Sequence, residues 1–382
     1  LEFRRVLFRS RRRMKSFVRF LLLAGLILLP SFAEAGEGAP SRKPGRGLLV
    51  SMIQEPYVLS GCEEIARLIE HAKAGGIGTI YLQVYRANQS WFPSKAADDS
   101  PFQSGLRAVG EDPLALFLRE AHQSGIKVFA WLNLLSLSKN EDAPLLKKYG
   151  PDILTRNLEP KKELRDYQID NQYFLEPGDT RVREELAALV GELLEHYPQL
   201  DGILFDYIRY PDQHPRYGFT GMNVARFKKA TGLGTVGEES PAWKDWKRRQ
   251  VNEVLAMLVK KTRELRPDIQ IAATGCMPYS RAHLEAYQDW PSWFREGLVG
   301  SVLIMSYTPQ TPEFARYMID AKKRVRDFGR VHVAVGAYAL LKFPERFAEQ
   351  TSVCEHSGPG SCVVFHYESL LENPDLENVL EP

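Results

Sequence analysis

An acidic side chain stands directly after a run of apolar residues in the middle of the chain. Asp206 follows Gly202-Ile203-Leu204-Phe205. A charge in such an apolar setting costs free energy unless it is paired or hydrogen-bonded, so its presence indicates either a partner or a function. Arg209 comes three residues later, so one interpretation is an ion pair that fixes a loop. The other interpretation is an ionised carboxylate that acts as a nucleophile or a general base.

A second carboxyl group is needed if Asp206 takes part in breaking a glycosidic bond. One group protonates the leaving oxygen, while the other attacks the sugar or activates a water molecule. Glu55, Glu176 and Glu368 are the candidates, and we take Glu55 as the leading one. Glu55 and Glu368 follow the first and the last predicted strand, which become neighbours if the sheet closes on itself. Glu176 lies just before a predicted helix, which it could simply cap.

Aromatic, amide and charged side chains collect at the ends of other predicted strands. Such a rim suits a sugar, because aromatic faces stack on its C–H surfaces while amides and charged groups bond its hydroxyls. A polar rim that only holds loops in place is the alternative. We expect substrate contacts from Gln83, Tyr85, Arg86, Trp131, Asn133, Arg209, Tyr210, Tyr307 and Glu368. No standard metal-ligand spacing stands out, so neither a metal nor another cofactor is expected.

The spacing of apolar residues predicts the strands and helices that position these side chains. Eight short runs rich in β-branched and aromatic residues are typical of buried parallel strands. They cover residues 48–53, 79–85, 127–134, 202–208, 270–274, 301–306, 332–337 and 361–366. Helical stripes such as Ile65, Leu68, Ile69 and Ala72 lie between many successive strands. Eight such units predict an α/β fold, a single (β/α)₈ (TIM) barrel over residues 47–382.

Two long segments interrupt the alternation of strands and helices. They cover residues 136–180, after the third strand, and residues 211–243, after the fourth. In a barrel both would lie over the C-terminal ends of the strands, where active sites form. No Gly-x-Gly-x-x-Gly motif follows a predicted strand, which argues against a dinucleotide-binding fold.

The N-terminal segment has the charge order of an export signal. We interpret residues 1–13 as upstream sequence, residues 14–35 as a signal peptide and residues 36–46 as a flexible lead-in. The signal has a basic start, an apolar stretch and an Ala33-Glu34-Ala35 cleavage site. Its ten apolar residues are too few to span a bilayer. We therefore expect a periplasmic or extracellular protein without stable membrane insertion.

Composition and charge narrow the class of protein further. Hydrophobic residues make up 44% of the chain and charged residues 26%, as in globular proteins, which excludes a disordered chain. Residues 1–35 carry a net charge of +6, so the remainder carries −4. A mildly acidic body lacks the basic surface that nucleic acid requires. We therefore expect no nucleic-acid partner.

Four cysteines allow three disulfide pairings. An oxidising compartment makes disulfides possible. Cys354 and Cys362 flank a Gly-Pro-Gly turn, and we predict a bridge between them. A metal site shared with neighbouring histidines is the alternative, although its spacing is not a standard zinc spacing.

The segment around Asp206 resembles the glycosyl hydrolase-like 10 family. Residues 201–211 are similar to that family's signature D-G-I-x-F-D-Y-x-R-Y-P, and shorter matches occur at residues 81–86, 130–133 and 175–178. The resemblance spans roughly residues 46–370. It implies an exported (β/α)₈ protein linked to cleavage of bacterial cell-wall glycan or another polysaccharide. It implies site roles most directly for Asp206, Arg209 and Tyr210. It implies them less directly for Gln83 and Asn133.

These features together predict an exported glycoside hydrolase that acts on a bacterial polysaccharide, with peptidoglycan glycan strands among the substrates considered. The alternative is a non-catalytic carbohydrate-binding barrel in which the second carboxylate is absent or misplaced. The separation of the two carboxyl groups distinguishes the cases. It is about 5–5.5 Å in retaining enzymes and about 6.5–9.5 Å in inverting ones.

Overall fold

The computed structural model describes residues 43–53, 56–212 and 216–380. The segments interpreted as upstream sequence and signal peptide lie outside these residues, as does most of the lead-in. Glu55 also lies outside them. Within the described residues, no helix is both long and apolar enough to cross a membrane.

Eight parallel strands close into a barrel, which confirms the predicted fold. The strands are β1 Gly45–Val50, β2 Thr79–Arg86, β3 Lys127–Asn133, β4 Gly202–Asp206, β5 Gln270–Cys276, β6 Ser301–Ser306, β7 Val331–Gly336 and β8 Ser361–Phe365. Each strand pairs in parallel with the next one along the chain. β1 also pairs in parallel with β8, which closes the ring.

Helices lie in the connections between the strands and after the last strand. They are α1 Cys62–Ala74, α2 Ser100–Val109, α3 Pro113–Gln123, α4 Pro144–Tyr149, α5 Thr180–His196, α6 Gly221–Thr231, α7 Pro241–Leu265, α8 Tyr279–Leu284, α9 Trp290–Arg295, α10 Thr311–Arg324, α11 Pro344–Ser357, α12 Tyr367–Glu372 and α13 Pro374–Asn378. The apolar stripe predicted on α1 is buried, and so are the apolar faces of α3 and α5. Gly76 and Gly125 follow α1 and α3 and are each followed by isoleucine, and both have positive φ angles, of 62° and 72°.

Strand boundaries agree with prediction to within two residues, except for β1, which begins and ends three residues earlier than predicted. The polar sequence Gly45-Arg46-Gly47 resembles a loop, yet it pairs in register with β8. Gly47 suits the close packing there, because an added Cβ would lie 3.1 Å from Val363 and 3.3 Å from Tyr81. The strand therefore starts inside the segment interpreted as lead-in.

Alternate residues of the strands fill the barrel interior. This inner cluster consists of Leu49, Tyr81, Phe129, Trp131, Leu204, Ala272, Leu303, Ala334 and Val363. Because side chains alternate between the two faces of a strand, Asn133 and Asp206 follow Trp131 and Leu204 on the inward face. The predicted long loops after β3 and β4 are present, and the first contains a small antiparallel sheet of Ser136–Ser138 with Tyr173–Phe174.

A disulfide joins Cys354, near the end of α11, to Cys362 at the start of β8. This confirms the predicted pairing. The other two cysteines are unpaired, Cys62 at an exposed position and Cys276 in the core. Burial raises the pKa of the Cys276 thiol to about 11.

Candidate active site

A cavity of about 530 Å³ opens at the C-terminal ends of the strands. Its volume lies within the range of roughly 300–1,000 Å³ that is typical of ligand sites. The predicted site residues that line it are Gln83, Arg86, Trp131, Asn133, Asp206, Arg209 and Tyr307. The structure therefore brings together residues from four separate strands or the loops that follow them.

Asp206 ends β4 and is only 3% exposed. Its Oδ2 atom accepts a hydrogen bond from the Trp131 indole at 2.9 Å. Its Oδ1 atom accepts bonds from the Tyr207 backbone N–H at 2.7 Å and from the Thr274 hydroxyl at 2.5 Å. Three donors from three neighbouring strands or strand ends therefore fix the orientation of this carboxylate.

The backbone changes direction directly after Asp206. Tyr207 has a φ of 56°, a conformation that a bulky residue adopts only when its surroundings enforce it. Arg209 stacks over the Tyr207 ring at 4.5 Å and forms an ion pair with Asp212 at 3.0 Å. The interpretation of Arg209 as the ion-pair partner of Asp206 is therefore wrong, because the turn directs the guanidinium to Asp212.

Two amide side chains in the cavity wall have unpaired polar atoms. Gln83 is fully buried, and its Oε1 atom accepts a bond from the Met52 backbone N–H at 2.9 Å. Within the described residues its Nε2 atom has no hydrogen-bond partner, and neither has the Oδ1 atom of buried Asn133. Unpaired buried polar atoms cost free energy, so a cluster of them in a cavity indicates a ligand or water that completes the bonds.

Aromatic rings form another part of the wall. Tyr307 stacks on Phe365 with ring centroids 4.8 Å apart, and Trp131 meets Phe365 edge-on at 6.2 Å. Burial raises the pKa of the Tyr307 phenol well above its usual value. The ring therefore stays neutral and presents the kind of apolar surface on which a sugar ring stacks.

Tyr85, predicted as a substrate contact, lies outside the cavity. Strand alternation would place it inward after Gln83, but the pairing of β2 with β3 shifts register between residues 83 and 85. This bulge turns Tyr85 outward, into the layer between barrel and helices. The phenol accepts a hydrogen bond from Asn88 there.

Tyr210 and Glu368 also lie outside the residues that line the cavity. The Tyr210 hydroxyl donates to Glu176 at 2.5 Å, because the turn after Asp206 directs this ring away from the opening. Glu368 accepts a bond from Ser51 at 2.9 Å and contacts His366 at 2.6 Å. Both predictions of substrate contact are therefore corrected to roles in holding loops and strand ends.

Glu176 does not cap the following helix, since Asp179 does so by accepting a bond from the Arg181 backbone N–H. Glu176 is instead fully buried. Its carboxylate accepts bonds from Tyr210, from Asn223 at 3.2 Å, and from Gly178 and Thr155. Burial raises the pKa of Glu176. This network joins the loops after β3 and β4.

Several cavity residues were not predicted from the sequence. They include Ser138, Lys139, Asp170, Tyr207, Asp212, Thr274 and Arg281. Asp212 directly follows the Tyr210-Pro211 end of the family signature, so its position was a usable signal. Thr274 ends the predicted fifth strand, but it carries a hydroxyl, and only carboxylates were considered as reacting groups. Asp170 and Lys139 lie in the loop after β3, whose path is set by long-range contacts.

A closed parallel barrel with a fixed carboxylate at the end of β4 and aromatic walls around it has the architecture of a glycosidase-type (β/α)₈ protein. The glycosyl hydrolase-like 10 family model matches residues 57–344. The chain belongs to this family.

Glycosyl hydrolase DigH from Escherichia coli K12 is 24% identical over 272 residues, which cover 66% of this chain and 60% of DigH. The chain thus spans about 60% of the length of the curated relatives it matches. The PgaB (BpsB) glycoside hydrolase domain from Bordetella bronchiseptica has a TM-score of 0.66 at 15% identity, covering 88% of this chain and 98% of that one. An α-L-fucosidase from Paenibacillus thiaminolyticus has a TM-score of 0.61 at 12% identity, covering 88% and 48%. At identities this low, the solved structures show a shared fold and nothing further.

Proposed function

We propose that this protein hydrolyses glycosidic bonds in a polysaccharide and that Asp206 carries the chemistry. The observation that supports this proposal most strongly is the setting of Asp206. Its carboxylate lines an open cavity, is held by three donors and is flanked by aromatic rings. Membership of a glycosyl hydrolase-like family agrees with that chemistry.

Asp206 suits the role of nucleophile or general base better than that of proton donor. The Trp131 indole, the Tyr207 N–H and the Thr274 hydroxyl all point at its oxygens, as donors point at an anion. An oriented anion can attack an anomeric carbon or remove a proton from water. The proton on the leaving oxygen must therefore come from another group.

Glu55 remains our candidate for that proton donor. It follows Ile53, which lines the cavity, by two residues in the sequence. The other acids that line the cavity within the described residues fit less well. Asp212 contacts both Arg209 and Arg281, and Asp170 is exposed at the tip of a turn. We therefore propose the pair Asp206 and Glu55.

We further propose that the substrate is a bacterial cell-wall polysaccharide and that the protein works outside the cytoplasm. The order of charged and apolar residues at 14–35 supports export. The Cys354–Cys362 disulfide supports an oxidising compartment, in which such bonds persist. Mass spectrometry of exported protein tests this directly, since an intact Met14 terminus or two free thiols would contradict it.

The function is tested by incubating the protein with intact peptidoglycan, with peptide-stripped peptidoglycan and with other bacterial polysaccharides. New reducing ends, identified by mass spectrometry of the products, are the expected result on at least one glycan. A protein that binds such a glycan but releases no product from any of them would instead be the carbohydrate-binding barrel considered above.

A further inference from the structure

The cavity holds four basic side chains, which fall into two pairs. Arg209 and Arg281 both contact the carboxylate of Asp212, at 3.0 and 3.5 Å. Arg86 and Lys139 contact no carboxylate among the described residues, although both line the cavity. Arg209 and Arg281 thus share one carboxylate, whereas the described part of the chain supplies no carboxylate to Arg86 or Lys139.

Arg86 and Lys139 are brought together by a contact between two segments. Arg86 is the last residue of β2, and Lys139 directly follows the short strand Ser136–Ser138. The Arg86 guanidinium donates a hydrogen bond to the Ser138 hydroxyl at 3.2 Å. This bond uses one of five N–H groups and places the guanidinium beside the segment that carries Lys139.

The charge of this pair contrasts with its surroundings. The chain beyond residue 35 carries a net charge of −4. Among the described residues that line the cavity, however, four are basic and three are acidic, namely Asp170, Asp206 and Asp212. Glu55, as the proposed proton donor, is uncharged while it holds its proton and does not offset this excess. Arg86 is partly buried, so its charge is incompletely solvated. A planar guanidinium with free N–H groups binds a carboxylate through two parallel bonds, and a nearby ammonium adds attraction.

The geometry points to a carboxylate-binding subsite formed by Arg86 and Lys139. The polysaccharide cleaved here therefore carries a carboxylate on a sugar residue that binds in the same cavity as Asp206. This inference rests on the proposed hydrolysis and names its substrate class. A carboxylate can belong to the sugar ring, as in a uronic acid, or to an acidic ether on an amino sugar. The chemistry at Arg86 is the same for both.

The test compares each glycan with a copy of itself in which the carboxylates are converted to neutral amides. One arm uses an oligouronide, and the other uses an amino-sugar oligosaccharide with a lactyl ether. For the unmodified protein, kcat/KM on at least one free-acid glycan should exceed that on its amide by about 10- to 100-fold. Arg86→Gln should move this ratio most of the way to one, mainly through KM, and Lys139→Gln should move it less.

Lys147→Gln is the matched control, because this lysine is largely exposed and lies outside the cavity lining. It should leave the ratio of free acid to amide as it is in the unmodified protein. Equal kcat/KM values on acid and amide, or an Arg86→Gln protein that keeps the full ratio, would overturn the subsite.

Binding distinguishes failure of the subsite from failure of the proposed hydrolysis. Calorimetry with the Asp206→Asn protein measures affinity for the same acid and amide glycans without turnover. If no glycan is cleaved by the unmodified protein but the acid form still binds more tightly, the hydrolysis proposal fails and the subsite stands. If acid and amide bind equally, the subsite is overturned whatever the activity.

Discussion

Asp206 and Glu176 are two buried carboxylates in the same half of the barrel. Asp206 is 3% exposed and Glu176 is fully buried. Asp206 accepts hydrogen bonds from three donors, and Glu176 accepts them from four. By burial and by hydrogen bonding alone, the two groups would be assigned the same role.

Their difference lies in what else they can reach. Asp206 lines the cavity, whereas Glu176 is surrounded by protein groups that tie two loops together. A buried, fully bonded carboxylate can therefore serve catalysis or architecture, and access to a ligand separates the two roles. Substitution of Asp206 should consequently affect mainly activity, and substitution of Glu176 mainly stability.

The largest expected effect is on activity, at Asp206. Asp206→Asn keeps the size of the side chain but can neither attack a sugar nor remove a proton, so kcat should fall by about 10²–10⁴-fold. The amide would face the Trp131 N–H, so a modest loss of stability should accompany it. Initial rates and thermal melting of the same preparation check both. If the variant melts lower but turns over normally, Asp206 has only a structural role.

Thr274→Val should have a smaller effect of the same kind. Valine matches threonine in shape but cannot donate the 2.5 Å hydrogen bond to Asp206. Loss of a bond to a charged group should lower kcat/KM by roughly tenfold or more. Thr262→Val is the control, since the Thr262 hydroxyl bonds only within α7, to the Leu258 carbonyl. Equal activity losses in both variants would show that the Asp206 contact is unimportant.

Glu176→Gln should change stability and spare turnover. Gln keeps the shape but replaces one acceptor oxygen by a donor, in a network of four donors. The free energy of unfolding should fall by about 1–3 kcal/mol, measured by urea denaturation. The turnover of the folded fraction should stay near that of the unmodified protein. A loss of activity as large as that of Asp206→Asn, without a loss of stability, would reverse the two roles.

A pH dependence of stability is expected at Lys247, near Glu176. Burial lowers the pKa of Lys247 to about 7, while attraction to Glu176 opposes this shift. The unfolded chain binds the lysine proton up to its ordinary pKa, near 10.4. Between these values the unfolded state holds more protons, so stability should rise with pH by up to about 1.4 kcal/mol per unit.

Lys247→Met should flatten that slope, because methionine has no proton to lose. Urea denaturation at pH 7, 8 and 9 measures it. Lys147→Met, at an exposed site, should keep the slope of the unmodified protein. A slope that Lys247→Met leaves unchanged would show that Lys247 keeps its charge on folding.

The sequence was sufficient to predict the barrel and much of the cavity wall, because both follow from local patterns. Strand β6 was predicted at its observed bounds, residues 301–306, from its apolar run. Asp206 was singled out by the contrast between its charge and the run before it. In both cases the prediction depends only on residues adjacent in the sequence, and no contact between distant residues is needed to make it.

The errors arise where a backbone irregularity or a distant partner decides the outcome. Strand alternation predicts Tyr85 inward, but a bulge turns it outward. Proximity in sequence suggests that Arg209 pairs with Asp206, but the turn at Tyr207 directs it to Asp212. Glu176 has the sequence position of a helix cap, while its actual bonds reach Tyr210 across the loops. No local pattern encodes these contacts.

Hydrolysis in water enriched in oxygen-18 tests the central claim most directly. Mass spectrometry of the products from a cleaved glycan shows whether each new reducing end has gained one oxygen atom from water. The unmodified protein and Glu176→Gln should both produce labelled ends, and Asp206→Asn should produce almost none in the same time. Labelled ends formed by Asp206→Asn at the rate of the unmodified protein would contradict the account.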